Sequence, residues 1–405
     1  MSDVLLLSLL FLAVGVGWVL GRFGNDQKRD NVAASAPMPS QYYRGLNFLL
    51  DGSQDGAIDA FTQALAVNSE TFDTHIALGN VLRRRGEVER AIKIHQNLLA
   101  RPSLPAAQLH LAHLELARDY ISAGLLDRAE RLLRDLVSES GNHKRVAQRH
   151  LLEIYESQRD WMAASEIALA LLPKKTLLGT ASSDLDEGGQ PVGLLLSHYC
   201  CEQVDKPLHR GDFVGARALL QRALQHDRRC VRASLMLGDL ELRAGRPDEA
   251  LKVLQKVQTQ NAAYIPETVD MLRVCYSALD KRSAFLNALK ESFRRRPSTP
   301  LSLAIAQEIC DTSSVDAAKM FLRKSLTEKP SLRGLALLMT LNTKGSSSDY
   351  DTIQIEIMKR LVESRFFYRC SHCGFKGQQL HWQCLGCKRW GMVVEMGAVG
   401  DVISA

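Results

Sequence analysis

The chain has 405 residues, 46% hydrophobic and 24% charged, with a formal charge of +6. That apolar share excludes a wholly disordered chain, and so small a charge over this length excludes a diffusely basic nucleic-acid binder. Aromatics are only 6% while Leu, Ala and Arg abound, which favours helices over sheets.

The first element is an uncharged run from Val4 to Gly21, eighteen residues long. As a helix it spans about 27 Å, enough for a bilayer core. Trp18 lies near one end, where an amphipathic ring suits the headgroup zone. Only Asp3 precedes the run, whereas Arg22, Lys28 and Arg29 follow it. A secretory signal carries its basic residues in front, so a transmembrane helix is expected over 1–21. The positive-inside rule puts the C-terminal side, the bulk of the chain, in the cytoplasm and the N-terminus on the opposite side. Residues 22–37 are polar and small, and read as a linker.

A repeat follows. Gly52 and Ala57 recur thirty-four residues later as Gly86 and Ala91, and Gly211 and Ala216 recur as Gly245 and Ala250. Gly124 and Ala129 form another copy. A second small residue, Gly45, Gly79 or Gly238, precedes the turn glycine by seven. Weaker copies place Tyr155 with Ala164, then Ala284, then Ala317 with Phe321. The reading is helix, tight turn, helix. The first glycine admits a close partner, the second supplies a positive φ, and the alanine lets the pair cross. An apolar residue four after the alanine (Phe61, Leu133, Leu220, Leu254) fills the rest. This pattern resembles the tetratricopeptide repeat, over about 38–335, with an inserted loop near 174–192 and a helical connector over 336–364. The basic runs Arg83–Arg84–Arg85 and Arg294–Arg295–Arg296 are expected at helix ends or on solvated faces. No paired-carboxylate or Ser/His/Asp constellation is found, so no enzyme is expected.

Five cysteines (Cys200, Cys201, Cys230, Cys275, Cys310) are scattered without framework spacing and read as reduced, mostly buried thiols. The last four are different. Cys370/Cys373 and Cys384/Cys387 form two CxxC pairs ten residues apart. Four thiolates match one tetrahedral ion, zinc or iron. Such a site is closed, so its expected role is to fold a ribbon over 365–405 that is too small for a core of its own. His372 and His381 are the alternative ligands, and are read as surface residues. Phe366, Phe367, Tyr368, Trp382 and Trp390 are expected to pack around the site or against the last repeats. The knuckles resemble those of rubredoxin, although the short loop between them is nearer to a zinc ribbon.

The fold expected is therefore all-α: a tetratricopeptide solenoid with an N-terminal transmembrane helix and a small C-terminal metal ribbon built on four cysteines. Anchor, array and ribbon in this order resemble the lipopolysaccharide assembly protein B family of Gram-negative bacteria. The resemblance implies a non-enzymatic inner-membrane adaptor, anchored through residues 4–21. It implies that the membrane protease FtsH is a partner, and that the adaptor promotes degradation of the lipid A deacetylase LpxC. Other lipopolysaccharide synthesis or transport proteins, lipopolysaccharide itself and a second copy in a homodimer are further partners compatible with it. The family's metal ligands map onto Cys370, Cys373, Cys384 and Cys387. Nucleic acid is not expected as a partner. A general scaffold for envelope assembly and a rubredoxin-like electron carrier are the alternative functions.

Overall fold

The computed structural model describes residues 44, 45, 47, 48, 72–100, 104–139, 141–172, 189–343, 349–363 and 365–396. The expected transmembrane helix, the linker over 22–37 and nearly all of the loop near 174–192 lie outside them. Among the described residues no helix is long and apolar enough to cross a membrane. Two compact units divide between Gly124 and Leu125.

The first unit contains α1 (Phe72–Arg84), α2 (Val88–Leu99) and α3 (Ala106–Ser122). Ala91 and Leu98 are buried where α2 meets its neighbours. A Cβ on Gly79 would come 2.4 Å from the His95 imidazole, so this glycine is what lets α2 lie against α1. His95 stands four residues after Ala91, the slot that leucine fills in other copies. It is buried, and its Nδ1 lies 2.5 Å from Asp119 of α3. Arg83 stands in the last turn of α1, as expected of that basic run, and it pairs with Glu115 at 2.9 Å and Asp119 at 2.8 Å. Buried carboxylates need such a partner.

The second unit opens with α4 (Leu126–Glu139), α5 (Lys144–Gln158) and α6 (Trp161–Leu171). It continues with α7 (Val192–Glu202), the short α8 (Asp205–His209), α9 (Phe213–His226), α10 (Val231–Arg243) and α11 (Pro247–Gln260). A 3₁₀ segment (Ala262–Thr268) leads into α12 (Val269–Ala278), α13 (Arg282–Arg295) and α14 (Thr299–Thr312). The helical part ends with α15 (Val315–Glu328), α16 (Leu332–Thr343) and α17 (Asp349–Glu363). Apart from the short α8, which leans on α9, each helix of this unit packs on the next in chain order, as in a solenoid.

Ala129, Ala164, Ala216 and Ala250 are fully buried, and so are Leu133, Leu220 and Leu254 four residues after three of them. Gly238 of α10 faces Leu254 of α11, and a Cβ there would approach it to 2.6 Å. The turn glycine Gly245 has φ +70°. Side chains cap several second helices: Asp160 accepts the Ala163 N–H, and Asp212 the Gly215 N–H.

The two weak late copies are misregistered by one residue in the sequence reading. Ala284 is exposed, and Phe285 and Leu289 are the buried residues of its helix. Asp280, five residues before Phe285, has φ +53°, the left-handed conformation that the turn glycine takes in other copies. In the next copy Ala318 and Leu322, rather than Ala317 and Phe321, are fully buried. The five array cysteines are free thiols, and all but Cys310 are buried.

The ribbon has three short strands, β1 (Tyr368–Cys370), β2 (Lys376–Gly377) and β3 (Val393–Glu395). They pair antiparallel in the order β2-β1-β3, with Cys370 opposite Val393 and Tyr368 opposite Gly377.

Candidate metal centre and its seat on the repeats

The two CxxC turns are built alike. The Cys370 N–H donates to the Phe375 carbonyl and the Cys384 N–H to the Arg389 carbonyl. In each, the residue after the second cysteine turns back onto the first: Gly374 N–H to Cys370 O, Lys388 N–H to Cys384 O. That residue must take a left-handed φ. Gly374 does so freely at +78°, whereas Lys388 adopts +58° at some strain.

These turns bring all four Sγ atoms within 4.8 Å of one another. Cys370 and Cys387 sulfurs are 3.8 Å apart, and those of Cys373 and Cys384 3.6 Å apart. Four sulfurs at about 2.3 Å from a tetrahedral ion stand about 3.8 Å from each other. The set therefore fits a single ion, and zinc and iron fit equally. Neither His372 nor His381 belongs to the cluster. Burial, then the neighbouring sulfurs, push the Cys387 thiol up to about 12. At Cys370 burial acts upward too, but the N–H groups of Cys373 and His372 outweigh it and draw the thiol down to about 7. A bound ion displaces the remaining thiol protons, and four sulfurs leave it no open position for water or substrate.

Three residues past Cys387, Trp390 carries the ribbon onto the array. It is 2% exposed. Its indole N–H donates to Glu156 of α5 at 3.1 Å. Its ring stacks on His198 of α7, centroids 4.8 Å apart, and meets Trp161 of α6 edge-on at 5.9 Å. Its backbone is held from both sides by one amide: Gln190 Nε2 donates to Trp390 O at 2.9 Å, and Trp390 N–H donates to Gln190 Oε1 at 3.0 Å. Arg232 of α10 sits over the ring at 5.9 Å.

The rest of the ribbon continues along the repeats. The Tyr264 hydroxyl, in the 3₁₀ segment, reaches the Gly391 and Val393 carbonyls at 3.1 and 2.8 Å. Trp382 stacks on the Tyr264 ring at 5.4 Å. Tyr368 donates to Glu267 at 2.8 Å. Burial pushes the Glu267 carboxyl up, which this hydrogen bond and Arg333 oppose. Arg333 of α16 pairs with Glu395 at 3.4 Å and covers the Phe367 ring at 4.8 Å. The seat thus runs from α5 to α16, not only over the last repeats, and Phe366 is exposed rather than packed.

The four cysteines singled out in the sequence come together. The residues that receive the ribbon were missed. Trp390 was expected to pack there, and among the receiving residues Trp161 carried a signal, as a rare tryptophan in an aromatic-poor chain. Gln190 carried none, since it lies 200 residues from its partner.

Residues 368–395 match a family model described as a rubredoxin metal binding domain, and 74–104 and 208–267 match tetratricopeptide-repeat models. The chain is 30% identical over 393 residues to lipopolysaccharide assembly protein B of Escherichia coli (strain K12), covering 96% of this chain and 97% of that one. It is 32% identical over 398 residues to the protein of that name in Haemophilus influenzae, covering 95% and 96%. A solved tetratricopeptide-repeat protein from Parabacteroides merdae aligns at 13% identity over 79% of this chain and 97% of that one, with a TM-score of 0.27 that carries no geometric argument. The near full-length match to the curated relatives places the chain in the lipopolysaccharide assembly protein B family.

Proposed function

We propose that this chain is a membrane-anchored, non-enzymatic adaptor that regulates lipopolysaccharide supply. It binds LpxC and presents it to FtsH, while residues 4–21 hold it in the inner membrane. Anchoring confines adaptor and protease to two dimensions and raises their effective concentration. The name of the curated relatives supports the pathway. The observation that carries the adaptor reading is the seat of the ribbon. A closed four-sulfur site spends its ligands on folding, and Trp390, Tyr264 and Arg333 then spread that fold across the repeats. Such an arrangement shapes a surface and leaves the ion no substrate.

The test is the half-life of LpxC in cells whose native copy carries Cys370→Ser and Cys373→Ser. The adaptor reading expects LpxC to persist several-fold longer, to the same extent as in cells depleted of the chain. An unchanged half-life in cells whose variant has lost its ion contradicts it. A chain lacking residues 1–21 that restores regulation at native abundance would refute the anchoring part.

A further inference from the structure

Five cysteines of the array lie outside the candidate metal centre, and two of them meet. Cys201 stands in the last turn of α7, and Cys230 is the N-cap of α10. The short α8 and all of α9 separate them in the chain. Both belong to one core cluster, at 1% and 4% exposure. Their side chains hydrogen-bond, with the Cys201 thiol as donor and the Cys230 sulfur as acceptor. Both are free thiols.

Their settings assign different roles. Burial first, and then the bond to Cys230, push the Cys201 thiol well up, so it keeps its proton and donates. Burial also pushes the adjacent Cys200 up, to about 11. Cys230 goes the other way. The Cys201 thiol leads in drawing it down to about 7, against burial. It also stands at the start of α10, where helix N-terminal N–H groups favour a thiolate. The anion does not depend on an imidazolium. His198 and His226, which share a cavity with Cys230, are both drawn down by burial first, and then by Arg232 and Arg222 respectively, His198 to about 3. Both are therefore neutral at neutral pH. That cavity measures about 440 Å³, and Cys230 lines it while the other four array cysteines do not. It has room for several waters, and so for a small oxidant.

We propose that Cys230 is a hydroperoxide-reactive site and that Cys201 is its resolving partner. The Cys230 thiolate attacks one peroxide oxygen and the O–O bond breaks. The leaving oxyanion takes a proton from solvent, and Cys230 is left as a sulfenic acid. The Cys201 sulfur then attacks Cys230, the S–S bond forms and the S–O bond breaks. The departing hydroxide leaves as water with the Cys201 proton. Two thiols lose two electrons and the hydroperoxide gains them. The disulfide ties the end of α7 to the start of α10. These helices carry His198 and Arg232 against the Trp390 ring, so oxidation restrains the seat of the ribbon. The site is independent of the adaptor reading and of the four ribbon sulfurs.

The test adds one equivalent of hydrogen peroxide to the reduced, ion-loaded full chain, then blocks the remaining thiols and maps the peptides by mass. The expected product joins the peptides of Cys201 and Cys230 and is two hydrogens lighter than the pair. It should form at least tenfold faster than any oxidation of Cys310, the least buried of the array cysteines. Cys201→Ala should leave Cys230 as a sulfenic acid that a 1,3-diketone traps, and Cys230→Ala should leave Cys201 unmodified. Helical circular dichroism checks that both variants fold, and the map of the unsubstituted chain stands without them. Amide exchange in residues 190–199 should slow about threefold on oxidation and recover with a phosphine reductant. Oxidation of Cys310 ahead of Cys230, a bond from Cys230 to Cys200 instead, or no bond at all overturns the proposal. A bond that forms and leaves exchange unchanged overturns its effect on the seat.

Discussion

Helices α10 and α11 hold together through Leu235, Ala250, Leu254 and Val257, with Gly238 allowing the close approach. Such a pair leans on its neighbours in turn, so the array is stabilised locally, repeat by repeat. The ribbon over 368–395 buries only Cys370, Cys384 and Val393 as its own cluster, and two of those are candidate ligands. Three short strands cannot bury enough apolar area to offset the entropy of ordering them. The ribbon must therefore be held from inside by an ion and from outside by the repeats. The contrast separates two jobs. The array makes surface from packing alone, whereas the ribbon makes surface only when the sulfurs and Trp390 are both engaged.

The largest expected break comes from the ion. Removing it with a chelator, or replacing Cys370 and Cys373 by serine, forfeits on the order of 10 kcal/mol of ion-linked folding. Amide NMR signals of the ribbon should collapse while helical circular dichroism stays near its full value. A ribbon that keeps its dispersion would show that the sulfurs are not its core. Trp390→Ala separates the outside hold from the inside one. It removes a buried indole, a loss of about 3–5 kcal/mol. Urea unfolding should report that loss while the ribbon still takes up one ion per chain. An unchanged unfolding midpoint would make the docking superficial.

Acid tests the same junction through His198. Its folded pKa, about 3, lies below the ordinary 6.5. The unfolded chain thus binds the extra proton, and the contribution to stability is complete above 6.5 and is lost as pH falls toward 3. Between pH 7 and 5 the loss is about 2 kcal/mol. His198→Gln should flatten that part of the pH profile, which isolates it from protonation of the sulfurs. A profile with the same slope in both proteins would place the titration elsewhere. The smallest effect is Tyr264→Phe, which leaves the Gly391 and Val393 carbonyls without their donor. It should cost about 1 kcal/mol, read in the same unfolding curves.

Much of the array was legible because its rule is local. A turn glycine and a crossing alanine five residues later mark a helix pair wherever both are present. The rule slipped where other residues played those parts. Asp280, five residues before the buried Phe285, takes the left-handed φ that glycine supplies in other copies, so no glycine marks the register and the alanine pattern falls on the exposed Ala284 instead. The run at Arg83 ends its helix, as its sequence suggests, but nothing in it shows that Arg83 reaches Glu115 and Asp119 of α3. The candidate metal centre was legible to the residue, since CxxC spacing is itself the geometry of a knuckle. Its seat was not. The pairing of Gln190 with Trp390 depends on how many helices stack between them, and no periodicity in the chain encodes that sum.

Deuterium exchange of the full chain, with its ion and after chelation, probes most directly whether the ribbon fixes a surface of the repeats. The account predicts that chelation speeds exchange in residues 190–199 and 262–268 as well as in the ribbon, while helices α13 to α15 keep their protection. Faster exchange confined to residues 368–395, with the repeats unchanged, would contradict it.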